Sequence, residues 1–119
     1  MDTRKPTTQL LGRFQPWHKG HTELFKRALS KTGQVAILLR EYDNTSKNPF
    51  DYAERESQIL HALGLDGYSR GVHYDIYRMP NITHITYGRD VGYTIEQEHL
   101  DKETELISAT KIRELSVSA

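Results

Sequence analysis

A continuous apolar run at Val35–Leu39 is the feature that most limits how this chain can fold. The run has no polar residue at alternate positions, which is typical of a strand in a parallel sheet that is covered on both faces. An amphipathic segment precedes it, from about Gly20 to Lys31, and Gly33 supplies the stop that ends a helix. A helix that leads into a buried strand predicts a βαβ unit with a right-handed crossover.

The rest of the chain continues this alternation. Asp51, with Glu54 three residues later, predicts the capped start of a second helix that ends near Gly64. The other predicted elements are strands at Thr7–Leu11, Val72–Ile76, Thr83–Tyr87 and the more polar Tyr93–His99, and a last short helix from Ser108 or Thr110 to about Leu115. We therefore expect one α/β domain over residues 1–119, with a compact Rossmann-like, doubly wound parallel sheet of five strands.

The composition argues against several classes of function. Sixteen basic and sixteen acidic side chains cancel, so the chain lacks the overall positive field of many nucleic-acid binders. Cysteine is absent and most histidines lack ligand-like spacing, so we expect no metal site built by the protein itself. No apolar run approaches the roughly 18 residues of a membrane span, and the N-terminus lacks an apolar signal region. We expect a cytoplasmic protein with neither nucleic acid nor membrane as a partner.

Polar segments follow several of the predicted strands. They cover residues 12–21, 40–49 and 88–90, after the first, second and fourth predicted strands. Ligands of parallel α/β sheets bind at the carboxyl ends of the strands. The sequence therefore predicts that the three segments meet at one rim of the sheet and form a pocket there.

The first of these segments, Gly12–His21, contains the strongest candidates for chemistry. His18 and His21 lie three residues apart at a predicted helix start, where backbone N–H groups and the helix dipole attract anions. Gly20 between them allows the backbone to approach a phosphate closely. Two imidazoles that titrate near neutral pH suit phosphoryl or nucleotidyl transfer. Two ordinary surface histidines are the alternative for this segment taken alone.

A second polar segment, Ile107–Arg113, places two hydroxyls and two cations around another predicted helix start. Hydroxyls and free N–H groups at such a position bind phosphate oxygens, although an ordinary capped helix with solvated charges has the same pattern. The presence of the histidine segment favours the phosphate-binding interpretation. The chain has neither a Walker-type loop nor a Gly-x-Gly-x-x-Gly motif, which disfavours those two nucleotide sites.

The two segments resemble the two signatures of the HxGH nucleotidyltransferase superfamily, which is cytidylyltransferase-like. The opening Arg13–Pro16 is most similar to nicotinamide mononucleotide adenylyltransferases of the archaeal type, and so is Asn48–Phe50 followed by Glu54 and Arg55. The resemblance extends from about Leu10 to Glu114. In its compactness the chain instead resembles the glycerol-3-phosphate cytidylyltransferases.

The resemblance implies a role for individual residues of the first segment. His18 would contact the nucleoside triphosphate, and His21 would stabilise charge on the α-phosphate as it becomes five-coordinate. The backbone at Phe14 and Gln15 would lie near that phosphate.

The resemblance also implies roles elsewhere in the chain. Lys47 would reach the phosphates, Arg113 would balance their charge, and Arg55 would bind the second substrate. With His18 and His21, Lys47 and Arg113 form the implied catalytic set. The implied nucleotide-binding set consists of Gly12, Arg13, Phe14, Gln15, Gly20, Gly88, Arg89, Asp90, Ile107, Ser108 and Thr110.

The implied reaction transfers a nucleotidyl group, AMP from ATP, to a phosphomonoester, nicotinamide mononucleotide, and releases pyrophosphate. Mg²⁺ would accompany the nucleoside triphosphate. Two alternatives stay open: a CTP-dependent cytidylyltransferase acting on a polyol or sugar phosphate such as glycerol 3-phosphate, and a nucleotide-binding regulatory module without turnover. Residues 89–106 leave little room for acceptor-binding elements, so another subunit of a homo-oligomer is one way to complete the acceptor pocket.

Overall fold

A computed structural model describes residues 1–41, 49–89 and 92–100 of the chain. In these residues strands and helices alternate, in the order β1 (Thr8–Leu10), α1 (Lys19–Thr32), β2 (Val35–Arg40), α2 (Tyr52–Leu65) and β3 (Tyr74–Met79). The strands form a parallel sheet in the order β1-β2-β3, and Val35 pairs with Thr8 on one side and Tyr74 on the other. The predicted α/β fold with a parallel sheet is confirmed.

The prediction of five strands was wrong for the residues that the structure describes. Residues 83–87 and 93–99 have no regular secondary structure. Ile85 and Tyr87 are 67% and 60% exposed, so no burial of apolar surface offsets the entropy lost when a strand is ordered. The predicted last helix, from Ser108 or Thr110, lies outside the described residues.

The third predicted strand was displaced by two to three residues. Val72 and His73 both donate backbone hydrogen bonds to the carbonyl of Ser69, so this part of the chain forms a turn. The strand β3 begins only after that turn, at Tyr74.

The core lies on one face of the sheet. Val35, Ile37 and Leu39 of β2 are fully buried, whereas Ala36 and Leu38 between them are only partly buried. Both helices pack on this face, because buried residues of α1 and α2 belong to the same core cluster as these three strand residues. The expectation that β2 is covered on both faces is therefore corrected for the described part of the chain. The core is completed by Phe25 and Ala28 of α1, Ile59 and Leu63 of α2, and Leu10, Phe14, Trp17, Tyr74 and Ile76.

Local capping signals set the ends of both helices. In α2 the side chain of Asp51 accepts a hydrogen bond from the Glu54 N–H at 2.8 Å, as predicted. At the end of α1, Gly33 adopts a left-handed φ of 84° and donates its N–H to the Leu29 carbonyl. None of the helices seen in the described ranges combines the length and apolar character needed to cross a membrane.

Candidate phosphate-binding site

The segment between β1 and α1 has an unusual backbone that is held in place by burial. Phe14 has a φ of 52°, in the left-handed region that residues with a side chain seldom adopt, and its ring is fully buried. The ring covers Gly12 so closely that a Cβ at that position would lie 2.7 Å from Phe14 Cε1. Gly12 is therefore required for the packing of this segment, whatever else it contacts.

His18 and His21 cap the start of α1 reciprocally. The Nδ1 atom of His18 accepts a hydrogen bond from the Gly20 N–H at 3.0 Å, and the Nδ1 atom of His21 accepts one from the His18 N–H at 3.1 Å. This is the geometry of a capping box in which both side chains are histidine. The two rings stack, with their centroids 4.0 Å apart and their planes 30° from parallel.

These hydrogen bonds determine where the neutral rings carry their protons. A nitrogen that accepts a hydrogen bond bears no proton, so the proton of each neutral imidazole is on Nε2. Burial lowers the pKa of His18, and it lowers the pKa of His21 to about 3, with the neighbouring charge of His18 as a second cause. At neutral pH the pair consists of two uncharged rings, each with an Nε2–H group to donate.

Aromatic side chains hold the ring of His21 in place. Phe14 contacts it edge-on, with centroids 5.1 Å apart, and Trp17 lies at 5.3 Å on a tilted plane. The indole N–H of Trp17 donates to the Thr22 hydroxyl at 2.8 Å, and the ring is 7% exposed. Trp17 is therefore a packing residue that supports the histidine pair.

The side chain of Gln15 connects this segment to the residues before α2. Its Nε2 atom donates to the Phe50 carbonyl at 2.7 Å, and its Oε1 atom accepts from the Phe50 N–H at 3.0 Å. The residue is fully buried. Sequence reasoning had assigned Gln15 only a backbone role, and no local pattern in the sequence indicates its distant partner.

Arg55 is 1% exposed, and its guanidinium donates to backbone carbonyls within the fold. Its Nη1 atom lies 2.8 Å from the Arg40 carbonyl and 3.5 Å from that of Arg13, and its Nε atom lies 3.3 Å from the Asp51 carbonyl. These contacts give Arg55 a structural role, and its expected contact with the second substrate stays a prediction. The sequence did contain a signal, since Arg55 precedes the buried Ile59 by four residues on the apolar stripe of α2.

Two of the three predicted rim segments do come together. Gln15 and Arg55 connect the segment after β1 to the end of β2 and the start of α2. Gly88 and Arg89 lie in an exposed bend after β3. Arg13 is exposed and Gly20 is buried in the first turn of α1. The other predicted site residues lie outside the described residues: Lys47, Asp90, Ile107, Ser108, Thr110 and Arg113.

A groove of about 610 Å³ adjoins His18 and Trp17 along the side of α1. Its lining includes Lys19 and Lys26 but also Glu23 and Asp66, and Lys26 pairs with Asp66 at 3.3 Å. Charges of both signs make this groove a poorer site for a polyanion than the histidine pair at the helix start. Nowhere in residues 1–41, 49–89 and 92–100 do three or more histidine, cysteine, aspartate or glutamate side chains gather as metal ligands would.

Fold and site together define a parallel α/β protein with a candidate phosphate site at the start of the helix that follows its first strand. A family model described as cytidylyltransferase-like matches residues 10–99, and the chain belongs to that family. The resemblance to the nucleotidyltransferase superfamily is thereby confirmed.

Two proteins that share one name are similar to part of the chain. The chain is 42% identical over 66 residues to the nicotinamide-nucleotide adenylyltransferase of Thermoplasma acidophilum, and the aligned region covers 53% of this chain and 37% of that protein. It is 34% identical over 74 residues to the protein of the same name from Pyrococcus furiosus, and that aligned region covers 60% of this chain and 39% of the relative. The chain thus spans about two fifths of the length of these relatives.

A solved structure is similar to the same part of the chain. The bifunctional NMN adenylyltransferase/ADP ribose pyrophosphatase from Francisella tularensis matches with a TM-score of 0.56 and 32% identity, over 62% of this chain and 22% of that one. The same protein has also been solved in complex with AMP and a manganese ion.

Proposed function

We propose that this chain carries the nucleotidyl-transfer site of an enzyme that moves AMP from ATP to nicotinamide mononucleotide. The observation that carries the proposal is the reciprocal histidine cap at the start of α1. It supplies two Nε2–H donors beside a helix N-terminus, the position in a parallel α/β fold where phosphates bind. Similarity to proteins named nicotinamide-nucleotide adenylyltransferase supports the choice of substrates.

The proposed reaction is a displacement at phosphorus. A phosphate oxygen of nicotinamide mononucleotide attacks the α-phosphorus of ATP, the bond from that phosphorus to the bridging oxygen breaks, and pyrophosphate leaves with the electron pair. The attacking phosphate is already an anion, so the site needs no general base. Its task is to position two polyanions and to stabilise the charge that develops in the transition state.

Neutral histidines suit that task. The Nε2–H groups of His18 and His21 would donate to phosphate oxygens whose charge increases in the transition state. The positive end of the α1 dipole acts in the same direction. A divalent ion that enters with ATP would neutralise further charge, and we propose Mg²⁺.

The other site residues that the resemblance implies are also part of this proposal. Lys47, Ser108, Thr110 and Arg113 would hold the β- and γ-phosphates, with the backbone at Ile107. Gly88, Arg89 and Asp90 would contact ribose or base. We also propose that the enzyme is cytoplasmic, that its substrates are small molecules, and that neither nucleic acid nor membrane is a partner.

A CTP-dependent transfer to glycerol 3-phosphate is the second candidate function, and the cytidylyltransferase-like description of the family model favours it. The histidine pair would act identically in both reactions, because the α-phosphate has the same chemistry in ATP and CTP. The two candidates differ only in base and acceptor.

An assay of pyrophosphate release catalysed by the 119-residue chain tests the proposal. ATP and CTP are each combined with nicotinamide mononucleotide and with glycerol 3-phosphate in the presence of Mg²⁺, and we expect turnover with ATP and nicotinamide mononucleotide alone. Turnover that requires CTP would refute the choice of substrates. Binding of ATP without pyrophosphate release would favour the regulatory module.

The variant His21→Ala tests the assigned role of the histidine pair. We expect it to lose at least about a hundredfold in kcat, the magnitude typical for removal of one such donor. The matched control is His61→Ala, which removes an exposed histidine from the outer side of α2. Near-wild-type activity of a folded His21→Ala protein would contradict the mechanism.

A further inference from the structure

We propose that Gln15 and Arg55 are positioning residues, which fix the histidine pair relative to the end of β2 and the start of α2. The effect on turnover rests on the transfer function proposed above, whereas the effect on histidine geometry does not. Neither side chain needs to touch a substrate for this role.

The amide of Gln15 forms two hydrogen bonds that depend on its chemistry. One end donates to the Phe50 carbonyl at 2.7 Å and the other accepts from the Phe50 N–H at 3.0 Å. At neutral pH a carboxamide offers a donor and an acceptor side by side in this way, whereas an ionised carboxylate only accepts. Glutamate of the same length loses the donor in its ionised form, and methionine loses both groups.

Arg55 connects the same parts of the chain through a second set of hydrogen bonds. Its guanidinium contacts carbonyls on three separate segments, at Arg13, Arg40 and Asp51. These hydrogen bonds come from two nitrogens, Nε and Nη1, that are held in one plane, and lysine has only one nitrogen with which to replace them.

The position of these contacts connects them to His18 and His21. Gln15 lies three residues before His18, and Phe50 lies directly before Asp51, the residue that caps α2. The histidine segment is therefore attached to the second rim segment close to the reacting groups. A displacement of about 1 Å at such a distance can cost on the order of a hundredfold in rate.

The chain contains a matched control for this arrangement. Gln34 is also buried, and it also exchanges two hydrogen bonds with one backbone residue: its Nε2 donates to the Asp2 carbonyl at 2.7 Å, and its Oε1 accepts from the Asp2 N–H at 3.1 Å. It connects the N-terminus to the start of β2. Gln34→Met therefore removes the same pair of interactions at a place remote from the histidine pair, together with two further hydrogen bonds that Nε2 donates, to the Lys5 carbonyl at 3.3 Å and the Thr7 hydroxyl at 2.6 Å.

The experiment compares Gln15→Met with Gln34→Met by two measurements. Nitrogen-15 NMR of the imidazoles reports the tautomer of His18 and His21, and steady-state kinetics separate kcat from the KM for ATP. We expect Gln15→Met to lose the fixed Nε2–H signature and about tenfold or more in kcat, with KM largely unchanged. We expect Gln34→Met to lose thermal stability while both measurements stay as in the wild type.

Two results would overturn the inference: a folded Gln15→Met protein with unaltered histidine signals, or equal changes in Gln34→Met. Should Gln15→Met fail to fold, Gln15→Glu replaces it, since that variant keeps the acceptor for the Phe50 N–H. An inactive wild type would refute the transfer function, and the NMR comparison would still decide the positioning role.

Discussion

Acidification should begin to destabilise this fold through His21 at a pH above the range in which carboxylates titrate. Burial lowers the pKa of His21 in the folded chain to about 3 from an ordinary value of 6.5. The unfolded chain therefore takes up the proton first as the pH falls. Stability from this group is present above pH 6.5 and is lost progressively between 6.5 and about 3.

The size of the effect follows from the two pKa values. At pH 5 the unfolded imidazole is protonated and the folded one is not, and the difference is about 2 kcal/mol of unfolding free energy relative to pH 7.5. The variant His21→Asn keeps a side-chain oxygen that can accept the His18 N–H and has no imidazole to titrate. The pH dependence of its stability should be flatter by about the same 2 kcal/mol.

Urea denaturation at pH 7.5, 6.5 and 5.0, followed by circular dichroism, measures this difference directly. His18 contributes in the same direction, and its share remains in the variant because burial is the cause of its lowered pKa. His61→Asn, at an exposed position of α2, serves as the control and should follow the wild type. Parallel curves for the wild type and His21→Asn would show that the folded ring takes up its proton at an ordinary pH, and the neutral-donor mechanism would fall with that result.

Three further predictions concern the scaffold. Gly12→Ala places a Cβ 2.7 Å from the buried Phe14 ring and should lower the free energy of unfolding, measured with urea, by about 1–3 kcal/mol. The control Gly64→Ala adds a Cβ that meets nothing within 4 Å in helix α2 and should raise that free energy by up to about 1 kcal/mol. Equal effects of the two substitutions would refute the packing argument. Asp51→Ala removes the cap of α2 and should cost about 1 kcal/mol, which Asp51→Ser should largely restore. Lys31→Ala removes ion pairs with Glu96 and Glu98, so limited proteolysis at residues 92–100 should become faster while the midpoint of unfolding stays constant. High salt should have the same effect on proteolysis of the wild type, because it screens these exposed ion pairs.

The parts of the fold that could be predicted are those that local signals specify. The caps at Asp51 and Gly33 and the apolar run of β2 act over a few residues, and the predicted bounds of these elements agree with the structure to within two residues. The segment at 83–87 alternates as a strand would, but a strand also needs a partner and a buried face. Neither requirement is written in the segment itself.

The candidate site divides in the same way. The spacing of His18 and His21 predicted a helix start suited to phosphate. Their reciprocal capping depends on the extended backbone of His18, at a φ of −138° and a ψ of 179°, which the spacing alone does not indicate. Arg55 was assigned to the substrate because its position resembles the cytidylyltransferase-like pattern. Its place on the apolar stripe of α2 carried the better information, since a guanidinium can be buried where several carbonyls are present to accept its hydrogen bonds.

The histidine pair serves the fold and the proposed chemistry through different atoms of the same rings. The Nδ1 atoms accept the hydrogen bonds that start α1, and that use leaves each Nε2–H for a ligand. Hydrogen bonds from these donors strengthen as charge develops on the phosphate oxygens, and interactions that are stronger in the transition state raise kcat. Asparagine at position 21 can keep the Nδ1 role and offers no Nε2–H, so His21→Asn should retain most stability at pH 7.5 and lose turnover. Joint loss of stability and turnover in that variant would mean that the two roles cannot be separated.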